Sequence, residues 1–525
     1  MSGARTRIGR PEGRPIDAEK ELTRAYPDAP TTLAGRVSVR THRRYRPRPT
    51  TFGPWPATVA ELLDRYTGEV GTHRFYGIGG RPGGIDTAAG VAAWAAGPLP
   101  EGWTATGHYL RGDMPALHYR HAGGPALDVM RAAVWFDDRD RAADLFDAAW
   151  QVLAREVAAT FDDGAVLATP GATGRYLWQR CIGWDDHWPV LAADLQNLIR
   201  SVSGQGRTQI IDPGRTDPLP RLVEYDGRFM YAALCRDLRG GQPEHLTAAG
   251  GGGLELDPYT RGMVRVAFTV PAGWDLPGIL PVAVDGGGWD WPTAGGGETW
   301  ADAAEVRLGR LHRWPVTIRE AIVWPSTRSR DAGPLDTWAA KLVRIRGRLL
   351  ASHRAASSHG ADAGEPYELA AMAVRAILTH GIGALYGRGN TVTQQAASAG
   401  EVATRWDAAT CSPVVPDPAG GFTWQENRGQ ADPDTAHPEW CAAIWGRCRA
   451  RLLDAPTSRR GVRAGMLHLP PGSVVATRTD ALYLTTDPHW PDEQQRVGHF
   501  RRVHTWPGPI TPPATNTDLL RLKGT

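Results

Sequence analysis

Hydrophobic periodicity in this chain switches between strand spacing and helix spacing many times, and it never settles into a regular strand–helix–strand alternation. A doubly wound parallel sheet needs that alternation, so the segment order predicts a mixed α+β chain. Ala142–Ala159 is a clear amphipathic helix, with Leu145, Phe146, Ala149, Val152, Leu153 and Val157 on one side. Further helices are predicted at Val190–Val202, Asp336–Ser352, Tyr367–His380 and Glu439–Leu453, with shorter ones over Ala57–Tyr66 and from about Phe229. Short strands are predicted over 71–135, at Leu222–Tyr225 and at Val264–Val270. Gly250–Gly253 reads as a loop. The glycine triplets Gly286–Gly288 and Gly295–Gly297 bracket a turn with Trp289 and Trp291. Near the end, Ser473–Thr477 and Ala481–Thr485 alternate around Arg478-Thr479-Asp480, as two strands of a hairpin do.

At 525 residues the chain is long enough for several structural units. Five cysteines, none at CxxC spacing, argue against a disulfide framework or a zinc site. No apolar run approaches a membrane span and the N-terminus has no apolar leader, which predicts a cytoplasmic protein without a membrane partner. The formal net charge is only +3, but the ends are basic: residues 1–50 carry 12 Arg/Lys against 5 Asp/Glu, and residues 436–525 carry 12 against 7. Basic ends on a near-neutral chain fit a phosphate-rich partner or a solvated arm.

Three separated segments carry the chemistry. Glu224-Tyr225-Asp226-Gly227-Arg228-Phe229-Met230-Tyr231 is a strand ending in a carboxylate, followed by an aromatic helix start. Arg375 through Gly387 is a helix running on to Tyr386-Gly387. The third is the hairpin carrying Asp480. Phosphoryl transfer to a hydroxyl needs two facing carboxylates to hold metal ions and a cation for the triphosphate. Asp226 and Asp480 are the candidate acids, and Arg375 is the candidate cation.

These segments resemble motifs A, B and C of the family B DNA polymerases. Asp226 and Tyr231 match Asp-x-x-Ser-Leu-Tyr, with Phe229 at the Ser. Tyr386 and Gly387 match the end of Lys-x-x-x-Asn-Ser-x-Tyr-Gly, with Thr379 at the Lys and Gly383 at the Asn. Thr479 and Asp480 match Asp-Thr-Asp-Ser, with Arg478 at the first Asp and Ala481 at the Ser. Gly204-Gln205-Gly206-Arg207 is similar to the Tyr-x-Gly-Gly template-contacting segment of the protein-primed branch. Trp300 with Glu305-Val306, the segment His437-Pro438-Glu439-Trp440 with Arg447–Leu452, and Gly498-His499-Phe500-Arg501 resemble further segments in the same order.

The resemblance implies a right-hand architecture of palm, fingers and very small thumb over 201–525, after a basic arm over 1–50. Over 51–200 it implies a degenerate RNase H-like exonuclease-type domain. The only Asp-x-Glu, Asp17-Ala18-Glu19, lies in the arm, and Leu127-Asp128 lacks the following Glu, so that domain is expected to be inactive. Thr169–Arg175 resembles a single-strand-binding segment of such domains. Implied roles are metal ligation by Asp226 and Asp480 with Mg²⁺ or Mn²⁺, and nucleotide binding by Tyr231 (as a steric gate against ribose), Arg375, Tyr386 (stacking on the nascent base pair) and Gly387. DNA binding is implied for Gly204, Gly206, Arg207 and Arg501. Implied partners are a DNA primer–template, dNTPs and, in the protein-primed branch, a terminal protein. The losses at Thr379, Gly383 and Arg478 motivate an alternative, a catalytically silent polymerase-like protein that binds DNA. A nuclease or other nucleotidyltransferase with similar acids is the third reading.

Overall fold

The computed structural model describes residues 50–67, 73–79, 93–95, 97–111, 114–136, 143–182, 188, 190–236, 238–247, 254–284, 288–324, 333–387, 391–396, 398–407, 411, 414–416, 421–427, 436–492 and 496–522. The basic arm over 1–49 and the Gly250–Gly253 loop lie outside them.

The N-terminal part holds strands β1 (Thr50–Pro54), β2 (His73–Gly79), β3 (Trp103–Arg111), β4 (Met114–His121) and β5 (Ala126–Arg131), with helix α1 (Val59–Asp64) after β1. They form one sheet in the order β1-β2-β5-β4-β3, parallel across β1, β2 and β5 and antiparallel across β5, β4 and β3. Helix α2 (Ala143–Thr160) packs Phe146, Ala149, Leu153 and Val157 inward, as its apolar spacing predicts. Helix α3 (Pro170–Gln179) starts at Thr169, whose hydroxyl accepts from the Ala172 N–H. The Thr169–Arg175 segment is thus a capped helix start packed into the core. On the central strand, Asp128 is buried and its carboxylate lies 2.5 Å from His118 Nδ1 of β4.

Helix α4 (Ala193–Val202) leads into β6 (Arg207–Ile210), β7 (Leu219–Gly227) and the short helix α5 (Met230–Leu234). Next come β8 (Glu244–Thr247), β9 (Arg261–Thr269), the hairpin β10 (Val282–Val284) and β11 (Gly288–Asp290), β12 (Gly296–Asp302), helix α6 (Ala303–Leu311) and β13 (Val316–Trp324). Of these, β12-β9-β13-β8 make an antiparallel sheet. Two long helices follow, α7 (Asp336–Ser357) and α8 (Ala361–Leu385). A small sheet is built from β14 (Thr391–Ala396), β15 (Val415–Pro416) and β16 (Phe422–Asn427), with helix α9 (Ala399–Arg405) between the first two. Helix α10 (Pro438–Leu453), the pair β17 (Ala455–Pro456) and β18 (Arg463–Ala464), β19 (Val474–Thr479), β20 (Ala481–Leu484), β21 (Phe500–Ile510) and helix α11 (Asn516–Leu522) complete the chain.

The central sheet has the order β21-β7-β20-β19-β6, and every pairing is antiparallel. Alternation assigns its two faces. Val223, Tyr225, Leu482 and Leu484 join the main core with α10, while Leu222, Ala476 and Tyr483 pack with Leu519 of α11. After Asp480 the described chain forms β20, β21 and α11.

Residues Asp362–Leu385 of α8 are long and apolar enough to cross a membrane, which corrects the reading that no such stretch exists. The helix instead packs against α2, α3 and α7, burying Leu369, Val374, Ile377, Leu378 and Ile382. Each such side chain contributes about 1.5–3 kcal/mol on burial. Where α3 crosses α8, Gly174 meets Gly381: a Cβ on Gly174 would lie 2.6 Å from the Gly381 Cα and 2.5 Å from the Ile377 carbonyl.

Candidate active site

Asp226 is the next-to-last residue of β7, and Asp480 sits in the two-residue turn between β19 and β20. Arg478 pairs with Ala481 across the hairpin, and Ala481 pairs with Asp226 across the next ladder. Two acids some 250 positions apart are therefore neighbours on adjoining strands. The Gly227 N–H donates to the Asp480 carbonyl (2.9 Å). A Cβ on Gly227 would lie 3.3 Å from that carbonyl and 2.7 Å from Met230, so the glycine lets the two segments close.

Two non-glycine residues beside the acids adopt left-handed backbone, Phe229 (φ 48°) and Thr479 (φ 57°). Such conformations cost about 1–2 kcal/mol each and persist where surrounding contacts impose them. Here the Arg228 N–H donates to the His499 carbonyl (2.9 Å), and the Gly498 N–H donates to the Arg228 carbonyl (2.8 Å). Buried Phe229 is covered by the Arg346 guanidinium, 5.0 Å above its ring.

Charge is dense around the pair. Arg375 Nη2, from α8, lies 3.8 Å from Asp480 Oδ1 and 4.0 Å from Asp226 Oδ1. Arg501 Nη2, on β21 directly opposite Asp226, lies 3.8 Å from Asp226 Oδ2. Burial, and then the nearby Asp226 charge, push the Asp480 carboxyl up to about 6. Burial opposes the charge on Arg375, but Asp226 and Asp480 outweigh it and hold the guanidinium above its ordinary value. Arg346 on α7 is pushed down to about 10 by burial and by Arg501, Arg375 and Arg228, with Asp226 resisting. Arg375 and Arg501 thus contact the two carboxylates with the Arg346 charge nearby, while Arg228 pairs with Asp492 (2.9 Å). Arg346 is the site residue that sequence reading missed: α7 carries several arginines, and nothing in its periodicity marks the one that turns inward.

The other expected residues separate into those at the site and those away from it. Tyr231 lies at the site, half-buried, its phenol held un-ionised by burial and by the neighbouring Cys448 and Asp480. Gly206 abuts the same place: a Cβ there would lie 3.3 Å from the Thr479 Cα and 3.4 Å from the Tyr231 hydroxyl. Gly204 (φ 61°) packs against the Trp289 indole. Arg207, expected on DNA, is instead buried; its Nη1 donates to the Gly278 carbonyl (2.8 Å), Nε and Nη2 donate to Gln209, and the group lies 4.6 Å over Trp291. That carbonyl and ring come from 71 and 84 residues further along, so the local sequence carried no sign of them. Tyr386, expected to stack on a base pair, is also buried: its hydroxyl donates to the Arg200 carbonyl (2.8 Å) and its ring meets Trp445. Gly387 (φ 60°) sits where a Cβ would lie 2.5 Å from Ala436. Arg478 stands one strand away from Asp226 in register, and its charge acts on the buried Tyr483–Glu224 hydrogen bond (3.1 Å).

A buried clamp fixes the loop in front of the acids. Arg449 of α10 makes a bidentate pair with Glu305 (2.8 Å twice) and donates to the carbonyls of Ser203 (3.2 Å) and Gln205 (2.7 Å). Glu305 also accepts from the Asp302 N–H, closing a capping box on α6. Burial and then Glu305 raise the Asp302 carboxyl to about 7. The resemblance around Glu305-Val306 and Arg447–Leu452 thus falls on residues that meet each other.

Among the described residues no three His, Cys, Asp or Glu side chains gather as a metal cage. The two facing carboxylates suit a hard divalent cation of the magnesium type. Such an ion keeps much of its water and is held by one or two carboxylates plus substrate phosphates. Burial, and then the Asp226 charge, disfavour the ionised Asp480 carboxylate, and a cation between the acids would relieve that penalty.

No family model matches the chain, and no curated protein matches it. Among solved structures it is similar to phi29 DNA polymerase in its orthorhombic crystal form (TM-score 0.52, 13% identity, 85% of this chain and 78% of that one). It is also similar to that enzyme complexed with primer-template DNA and incoming nucleotide substrates (TM-score 0.50, 11% identity, 85% and 79%), and to its post-translocation binary complex with primer-template DNA (TM-score 0.50, 12% identity, 85% and 78%). At such identities the likeness is one of fold, and the chain shares its fold with phi29 DNA polymerase.

Proposed function

We propose that the chain is a template-directed DNA polymerase of the protein-primed type, transferring dNMP to a primer hydroxyl. The observation that carries this reading is the convergence of Asp226 and Asp480 on adjoining strands, with the Arg375 and Arg501 guanidinium groups beside them. The two carboxylates would hold Mg²⁺ or Mn²⁺, which when bound activates the primer hydroxyl and neutralises charge on the triphosphate. Arg375 and Arg346 supply planar, permanently charged donors suited to phosphate oxygens. Arg375 is one helical turn before Thr379, so it reaches the site from the face that a lysine at Thr379 would use. Tyr231, beside the acids, would exclude a ribose 2′-hydroxyl. The Gly204–Gly206 loop, held by Arg449, leaves backbone close to the acids for a template strand to approach. The fold shared with phi29 DNA polymerase supports DNA as the partner.

Primer extension tests the reading. Wild-type protein with Mg²⁺ or Mn²⁺, a primer–template and dNTPs should incorporate nucleotide, and Asp226→Ala and Asp480→Ala should each abolish it. Incorporation that survives both changes removes the metal assignment. Arg478, at the position of a motif C acid, supports one other reading, a protein that binds DNA without extending it. Salt-sensitive DNA binding with no incorporation selects that reading.

A further inference from the structure

A single nitrogen, Arg375 Nη2, faces Oδ1 of both carboxylates, at 3.8 Å from Asp480 and 4.0 Å from Asp226. Both distances are ion-pair contacts longer than a hydrogen bond, so the guanidinium offsets the two charges without being locked to either. Its side chain is half-exposed, while Asp480 is almost fully buried, so the arginine approaches the pair from the solvent side. A cation chelated by both acids through these oxygens would meet the guanidinium there. Arg501 already stands at Asp226 Oδ2, and Arg346, over the Phe229 ring, adds its charge to the same cluster.

Resting on the proposed reading that this pair is a metal site, we propose that Arg375 is a built-in counterion. It competes with a divalent cation for Asp226 and Asp480, so that free metal enters only when the guanidinium leaves. Arg375 is then a positioning residue with two alternative partners, the carboxylates or an incoming polyanion, and its release sets when metal is admitted.

The probe is Mn²⁺ alone, titrated by electron paramagnetic resonance into the full-length protein without nucleotide or DNA. The variants are wild type, Arg375→Gln, Arg375→Lys and Arg375→Gln with Asp480→Asn. Arg375→Gln should tighten Mn²⁺ binding by about tenfold or more, because it removes a unit charge about 4 Å from the ligating oxygens. Arg375→Lys keeps the charge on a single point and should fall between wild type and Gln. The double variant should lose the gain. Melting curves check folding, and because Arg375 is half-exposed neither single change should unfold the chain. If Arg375→Gln and Arg375→Lys both bind Mn²⁺ no tighter than wild type, while the double variant binds none, the competition is refuted and the metal site stands. If no variant binds Mn²⁺, the metal site and the competition fall together.

Discussion

Replacing Asp480 by Asn should stabilise the protein at neutral pH in the presence of a chelator. The Asp480 carboxyl is raised to about 6 by burial and by Asp226, so folding tightens its hold on a proton. A raised carboxyl leaves stability intact below its unfolded value and erodes it as pH rises through the folded one. The penalty should be small near pH 4, grow between pH 4 and 6, and be complete above that. A shift of about two pH units corresponds to about 3 kcal/mol. That raised value already includes the opposing pull of the half-exposed Arg375 guanidinium at 3.8 Å, so nothing further is subtracted for it. The net gain should be about 3 kcal/mol at pH 7.5 and should fall below about 1 kcal/mol at pH 4. Urea unfolding followed by tryptophan fluorescence in EDTA, wild type against variant across that range, measures the difference while other titrations cancel. A gap independent of pH, or a wild type more stable than the variant at pH 7.5, would refute the claim that burial, with the Asp226 charge beside it, raises the Asp480 carboxyl.

Three further outcomes follow from the same geometry. Arg346→Ala should raise the KM for dNTPs by about tenfold or more with a smaller change in kcat, read by steady-state primer extension. Glu305→Gln should destabilise by about 3–5 kcal/mol, because it leaves the buried Arg449 charge without its partner, and it should weaken DNA binding through the loosened Ser203–Gln205 loop. Gly174→Val should cost about 1–3 kcal/mol or more, since its Cβ would strike the Gly381 backbone; a melting temperature unchanged from wild type would contradict the helix crossing.

Local pattern was enough to read the elements that carry the acids. The alternation on either side of Arg478-Thr479-Asp480 specifies the hairpin, and the apolar run before Asp226 specifies β7. The long helices were legible from their spacing, though α8 is longer at both ends than the predicted Tyr367–His380. What the sequence did not reveal was which side chains face which way after folding. Arg207 looked like a phosphate contact because basic residues near Gly204–Gly206 read that way, yet the Gly278 carbonyl and Trp291 draw it inside. Tyr386 matched a motif, but Arg200 and Ser203 of the α4 region engage its hydroxyl. Arg346 went unremarked among neighbours such as Arg348, which pairs with Glu156 on the surface; only tertiary packing distinguishes them. In each case the deciding partner is dozens to hundreds of residues away, beyond the reach of periodicity or spacing.

The most direct measurement is a crystal of the protein soaked in Mn²⁺, with anomalous scattering recorded at the manganese edge. The account predicts an anomalous peak between the two side chains, about 2.0–2.2 Å from a carboxylate oxygen of Asp226 and from one of Asp480. A map with no peak there, or with the two aspartates on separate surfaces, would contradict it.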